Sequence, residues 1–128
     1  MTTDGDRYER GLEALRTLMG RDRGPTPAPE EPPSAADLHR VFIEHCYGDS
    51  WARPGLDMKT KSLVTVAILA TLGAERELKI HIRGAHNMGV TKDQLVDLLI
   101  HIAGYSGVPR AVHAARLARE VWREMDGR

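Results

Sequence analysis

The sequence predicts an all-α protein, a compact bundle of about five to six helices, on three observations. Apolar residues recur at three- and four-residue spacing in successive stretches, and glycine, proline or capping residues separate those stretches. No stretch shows the two-residue alternation of a half-buried strand, and no internal repeat is present.

Leu12, Leu15, Leu18 and Met19 outline a short first helix. It runs into residues 21–33, where five prolines lie between Pro25 and Pro33. Proline lacks the amide donor and clashes with the preceding turn, so this stretch is expected to be an extended or mobile connector. The first thirty or so residues thus look poorly suited to a core. The expected organisation is an N-terminal helix and connector over 1–33 and a helical domain over 34–128.

Ser34 stands where an N-cap is needed, and Leu38, Val41, Phe42 and His45 follow helical spacing as the inward face, with Gly48 as the stop. Trp51-Ala52-Arg53-Pro54-Gly55-Leu56 reads as a turn, since Pro54 disfavours helix at Arg53 and Gly55 permits a reversal. Asp57 caps the next helix, Met58 to Leu72, whose stripe is Leu63, Val66, Ala67 and Ala70 and whose end is Gly73. Glu75 to Met88 follows, with Leu78, His81, Ile82 and Ala85 on one face. Thr91 and Gln94 form a capping box ahead of a helix from Lys92 to about Tyr105, apolar nearly all round. Gly107 and Pro109 break the chain before a last helix from about Pro109 to Met125, faced by Ala111, Ala114, Ala115, Ala118 and Val121.

Charge narrows the function. Eighteen basic residues balance eighteen acidic ones, which removes the positive field that nucleic acid or an anionic membrane surface requires. The few aromatics are not interleaved with basic residues, so a stacking platform for single strands is not expected. Met1 to Tyr8 is polar and acidic, without the apolar core of a signal peptide, and no apolar run approaches a membrane span. A cytoplasmic protein with no nucleic-acid or membrane partner is expected. The single cysteine, Cys46, rules out an intrachain disulfide or a Cys-x-x-Cys pair.

Among residues able to carry chemistry, His81 comes first, because an imidazole on an apolar face generally has a partner. A hydrogen-bonded core histidine accounts for the same pattern, and both readings stay open on spacing alone. His81 and His86 are five apart, on different helix faces, and no zinc motif or Gly-rich phosphate loop is present, so neither metal nor cofactor is expected. Arg83 and Lys61 suit a substrate carboxylate or a solvated helix face. Arg53 sits in a constrained turn that can aim a guanidinium into a pocket. Glu44 lies obliquely to the apolar face of its helix and can pair with a histidine or arginine, or remain a surface carboxylate. Trp51 and Tyr105 suit core, interface or pocket.

Four stretches together resemble the gamma-carboxymuconolactone decarboxylase family. They are Phe42 to Asp57 (FIEHCYGDSWARPGLD), Lys59 to Ala67 (KTKSLVTVA), Glu77 to Thr91 (ELKIHIRGAHNMGVT) and Tyr105 to Ala114 (YSGVPRAVHA). The resemblance implies a helical subunit of the alkylhydroperoxidase-like type, ring assembly as trimers or hexamers, and a cofactor-free carboxy-lyase of aromatic compound catabolism. Its substrate would be a small lactone carboxylate such as gamma-carboxymuconolactone. It singles out His81, Arg83, Arg53 and Glu44, and the chemistry of such a decarboxylation then assigns His81 as general acid, Glu44 as its orienting or relay partner, and Arg53 and Arg83 as carboxylate or oxyanion partners; Trp51, Tyr105 and His113 are further candidates for substrate binding. Alkylhydroperoxidase-like relatives carry a Cys-x-x-Cys pair where this chain has Leu78-Lys79-Ile80-His81.

His86, Met88, Cys46 and Val112 depart from the family pattern, which commonly has Asn at the positions of Met88 and Val112. They support an alternative, the same fold running another small-molecule reaction in a biosynthetic pathway. A thiol peroxidase built on Cys46 and a non-enzymatic helical assembly module are further alternatives.

The broad apolar surface of the Lys92–Tyr105 helix in so short a chain predicts a homo-oligomer. Sedimentation at micromolar concentration is expected to show a species heavier than one chain, and a single species at monomer mass contradicts it.

Overall fold

The computed structural model describes residues 4–20 and 25–127, so residues 21–24 of the connector lie outside the described residues. Six α-helices and one π-helix account for the regular structure there, with no strand among the described residues. The chain forms two compact units, one within Met1–Leu56 and one within Asp57–Arg128.

In the first unit, helix α1 (Asp4–Met19) is followed by α2 (Ala35–Val41), which continues without a break into a ten-residue π-helix, Phe42–Trp51. Residues 25–34 are irregular with turns at 29–30 and 33–34, held in part by the Glu31 carboxylate, which accepts from the Ala28 amide at 2.8 Å. Helix α1 packs along the π-helix. It buries Ala14, Leu15 and Leu18, so the expectation that the N-terminal stretch adds little to a core is corrected. Glycine makes this approach possible: a Cβ on Gly11 would collide with the Ile43 carbonyl, and one on Gly48 would lie 2.5 Å from the Arg7 carbonyl oxygen.

Three further expectations are corrected in α2 and the π-helix. Gly48 does not end the helix, which runs through it to Trp51. Ser34 precedes α2 in helical conformation and makes no side-chain cap. Leu38, Val41, Phe42 and His45 are exposed rather than inward; the buried positions are Ile43, Glu44, Gly48 and Trp51. For Phe42 and His45, which lie in the π-helix, the reason is periodicity; Leu38 and Val41 are exposed on the ordinary α-helix α2. A π-turn returns to the same face after four to five residues, so Ile43 and Gly48 share the inward face that α-helical counting gave to their neighbours.

The second unit is built from α3 (Met58–Leu72), α4 (Glu75–Asn87), α5 (Lys92–Ser106) and α6 (Val108–Met125). Asp57 caps α3 by accepting from the Thr60 amide at 2.7 Å, and Gly73 ends it at φ +72°, a conformation open to glycine. Thr91 and Gln94 form the expected capping box, with both bonds at 3.0 Å. Val66, Ala70, Leu78, Ile82, Leu95, Ala114, Leu117, Ala118 and Val121 meet in one core. Each large aliphatic among them contributes roughly 1.5–3 kcal/mol of burial. His86 ties α4 to α6: the Trp122 indole N–H donates to its Nε2 at 2.8 Å, and its Nδ1 lies 2.6 Å from the Val90 carbonyl. With Nε2 accepting, the proton sits on Nδ1 and is donated to Val90.

If the α1 contact depends on bare glycine, Gly11→Ala and Gly48→Ala each lower stability by about 1–3 kcal/mol, as overpacked sites do. Gly104→Ala on α5, with nothing within 4 Å of an added Cβ, is expected to be neutral or stabilising. Urea midpoints measure all three, and equal losses would contradict the contact.

Candidate active site

The π-helix and the turn after it position the candidates of the first unit. Glu44 is 7% exposed, and its carboxylate faces two guanidinium groups: Arg7 Nη1 of α1 lies 3.3 Å from Oε2, and Arg40 Nε lies 3.7 Å from Oε1. Arg7 also grips Asp49 as a fork, with Nε donating to Oδ1 at 3.1 Å and Nη2 to Oδ2 at 2.7 Å. Those bonds hold the Asp49 carboxyl below its usual range. Trp51 is buried and stacks on Tyr47 with ring centroids 6.3 Å apart. Arg53 is exposed in the turn and lines an open hollow of about 470 Å³ with Arg10, Gly48, Asp49, Ala52 and Pro54.

In the second unit, Leu78, Ile82 and Ala85 of α4 are fully buried, while His81 beside them is half-buried. Burial pushes its basicity below the ordinary histidine value, and the Glu77 charge opposes that in part. Arg83 is paired with Glu124 of α6 at 2.6 Å, and Lys79 reaches the same carboxylate at 2.8 Å. Hydrogen bonding between them raises the Lys79 pKa and lowers that of Glu124. These three, with Arg76 and Ile80, line a hollow of about 250 Å³. Tyr105 is 86% exposed near the end of α5, its ring 5.1 Å from that of His101. The half-buried His113 has Nε2 3.5 Å from Glu75 and Nδ1 3.0 Å from Arg116.

Glu44, Trp51 and Arg53 thus belong to the first unit, and His81, Arg83, Tyr105 and His113 to the second. Reading the sequence missed Arg7 and Asp49 as companions of Glu44. Arg7 lies across the proline-rich connector, where no local spacing reveals it; Arg40, four residues before Glu44, was open to helical counting. Cys46 is surface-exposed, and desolvation raises its thiol pKa, the opposite of the shift that activates a nucleophilic thiolate. Among the described residues no three His, Cys, Asp or Glu side chains group as metal ligands. No helix there is long and apolar enough to cross a membrane.

The class so defined is an all-helical protein whose candidate groups are imidazole, guanidinium and carboxylate rather than paired thiols. The sequence model of the carboxymuconolactone decarboxylase family matches residues 36–120. The 4-carboxymuconolactone decarboxylase of Acinetobacter baylyi is 36% identical over 122 residues, 95% of this chain and 91% of that protein. The nitrosuccinic acid decarboxylase of Metarhizium robertsii is 28% identical over 118 residues, 92% of this chain and 82% of that protein. The chain therefore belongs to the carboxymuconolactone decarboxylase family and is a carboxy-lyase of it.

Because folding favours neutral His81, its imidazole is expected to titrate below 6.5 in nuclear magnetic resonance spectra. The unfolded chain then binds the proton more readily, so the His81 contribution to stability is complete above about pH 6.5 and lost as pH falls through the folded value. His81→Asn removes that part of the acid destabilisation, and a midpoint at or above 6.5 contradicts the assignment.

Proposed function

We propose that the chain decarboxylates a small lactone carboxylate such as gamma-carboxymuconolactone without a cofactor, working as a homo-oligomeric ring of three or six subunits. The observation that carries the reading is the 36% identity to a 4-carboxymuconolactone decarboxylase across nearly the full length of both chains. Support for the oligomer comes from the α5–α6 surface, where Val96, Ile100, Val108 and Val112 stand exposed along an apolar groove of about 410 Å³.

In such a lactone the bond to the departing carboxylate breaks, carbon dioxide leaves, and the electron pair runs through the ring double bond to the lactone carbonyl. The substrate is its own electron sink. The protein must anchor the retained carboxylate, stabilise the dienolate oxygen and return a proton to carbon. Arg53 and Arg83 are the proposed cations. His81 is the proposed acid and Glu44 the proposed orienting or relay carboxylate; Trp51, Tyr105 and His113 are proposed to contact substrate. A half-buried imidazole that folding keeps neutral gains its proton as an anionic substrate approaches, and then gives it up readily.

A second reading, the same fold acting on another small carboxylate, is favoured by the nitrosuccinic acid decarboxylase relative. Nitrosuccinate and carboxymuconolactone share two carboxylates, one of them on a carbon whose anion is delocalised into an acceptor group. The recognition problem is the same and only the acceptor differs. His86 does not favour this reading, since its bonds to Trp122 and Val90 give it a packing role.

Carbon dioxide release from a panel of lactone and nitro dicarboxylates separates the two readings. On the substrate that turns over, His81→Asn is expected to lower kcat by about 100-fold or more with a smaller change in KM, as loss of a general acid does. Arg53→Ala and Arg83→Ala are expected to raise KM as well. A structural histidine would instead lower thermal stability and leave turnover of the folded protein intact, so a folded His81→Asn enzyme with near-normal kcat overturns the assignment.

A further inference from the structure

We propose that Arg7 is a positioning residue for Glu44, which makes helix α1 a working part of the enzyme although it lies outside the stretch that the family model matches. The inference rests on the role proposed above for Glu44. A carboxylate as buried as this one needs charged or hydrogen-bonding partners to offset desolvation. Of its two ion-pair partners among the described residues, Arg40 stands farther off at 3.7 Å on a 61% exposed side chain, whereas Arg7 lies at 3.3 Å and is 34% exposed.

Arg7 is also the better anchored. Two of its nitrogens are committed to Asp49 in a planar fork, which fixes the plane of the guanidinium and aims the third at Glu44. One guanidinium can bridge these two acids only because they sit on a π-helix. Five residues apart on an α-helix they would diverge by about 140°, whereas a π-turn brings positions five apart onto one face. The backbone of α1 is held in register by the same helix: Gly48 lies under the Arg7 carbonyl, and Gly11 lies against Ile43. Asp49 anchors Arg7, Arg7 orients Glu44, and the glycines set the distance.

The test measures kcat, KM and folded fraction for Arg7→Met, Arg7→Lys, Asp49→Asn, Glu44→Gln and the double variant Arg7→Met/Glu44→Gln, with Arg16→Met as a control elsewhere on α1. Arg7→Met is expected to lower kcat per folded molecule by about tenfold, a magnitude in keeping with misplacement of a reacting group, with KM changed less than about twofold. Arg7→Lys recovers part of the loss, Asp49→Asn shows a smaller one, and Arg16→Met shows none. In the Glu44→Gln background, Arg7→Met has no further effect, because the carboxylate it acts through is gone. Full kcat per folded Arg7→Met molecule while Glu44→Gln is impaired, or additive losses in the double variant, overturn this inference alone. Full turnover in Glu44→Gln, or none in the parent protein, overturns the role of Glu44 and this inference with it.

Discussion

Winding ten residues from Phe42 to Trp51 as a π-helix sets what the first unit can present. The wider turn rotates Glu44 inward, places Asp49 on the same face, and carries Trp51 into a buried stack with Tyr47 before the chain leaves through Arg53. A π-turn is less favourable than an α-turn and persists where the surroundings hold it. Here the surroundings include α1, pressed close through Gly11 and Gly48, and the Arg7 fork that ties α1 to two acids of the π-helix.

The second unit is built on different physics. Its core is closed by aliphatic burial, with alanines on α6 allowing close packing, and its chemistry-bearing side chains stand at the margin of that core. His81 is the intermediate case. It is next in sequence to fully buried Ile82 and three residues from fully buried Leu78, yet only half-buried itself, so it is desolvated enough to lose basicity without being sealed in. Arg83 and Lys79 of α4 share the Glu124 carboxylate of α6. That combination suits the proposed reaction, in which the substrate would bring both the negative charge and the electron sink and the protein would supply fixed charges and one mobile proton.

Departures from a family pattern divide by their surroundings. His86 is consumed by a hydrogen bond at each ring nitrogen, so its presence reflects how α4 meets α6. Val112 is exposed beside the apolar groove of α5 and α6, where a substitution alters surface rather than interior chemistry. Cys46, solvent-facing and with its thiol pKa raised, has the character of a spectator.

How much the sequence determined differs between the two units. From Asp57 onward, helical periodicity, an Asp cap, a capping box and glycine stops placed α3 to α6 to within a residue or two. Each signal there is local, and α-helical geometry converts spacing directly into facing. His81 and Arg83 were legible for the same reason, as polar residues at known angles on a well-predicted helix. Before Asp57 the same counting assigned Leu38, Val41, Phe42 and His45 to the interior and left Glu44 undecided; from Phe42 on it assumed 3.6 residues per turn where the chain adopts a wider one. Arg7 was beyond reach for a different reason: it meets Glu44 and Asp49 across a proline-rich connector, and an ion pair between segments so far apart leaves no trace in local spacing. Only tertiary packing, with bare glycine at the contact and one guanidinium between two acids, decided that the N-terminal helix stands beside the proposed catalytic carboxylate.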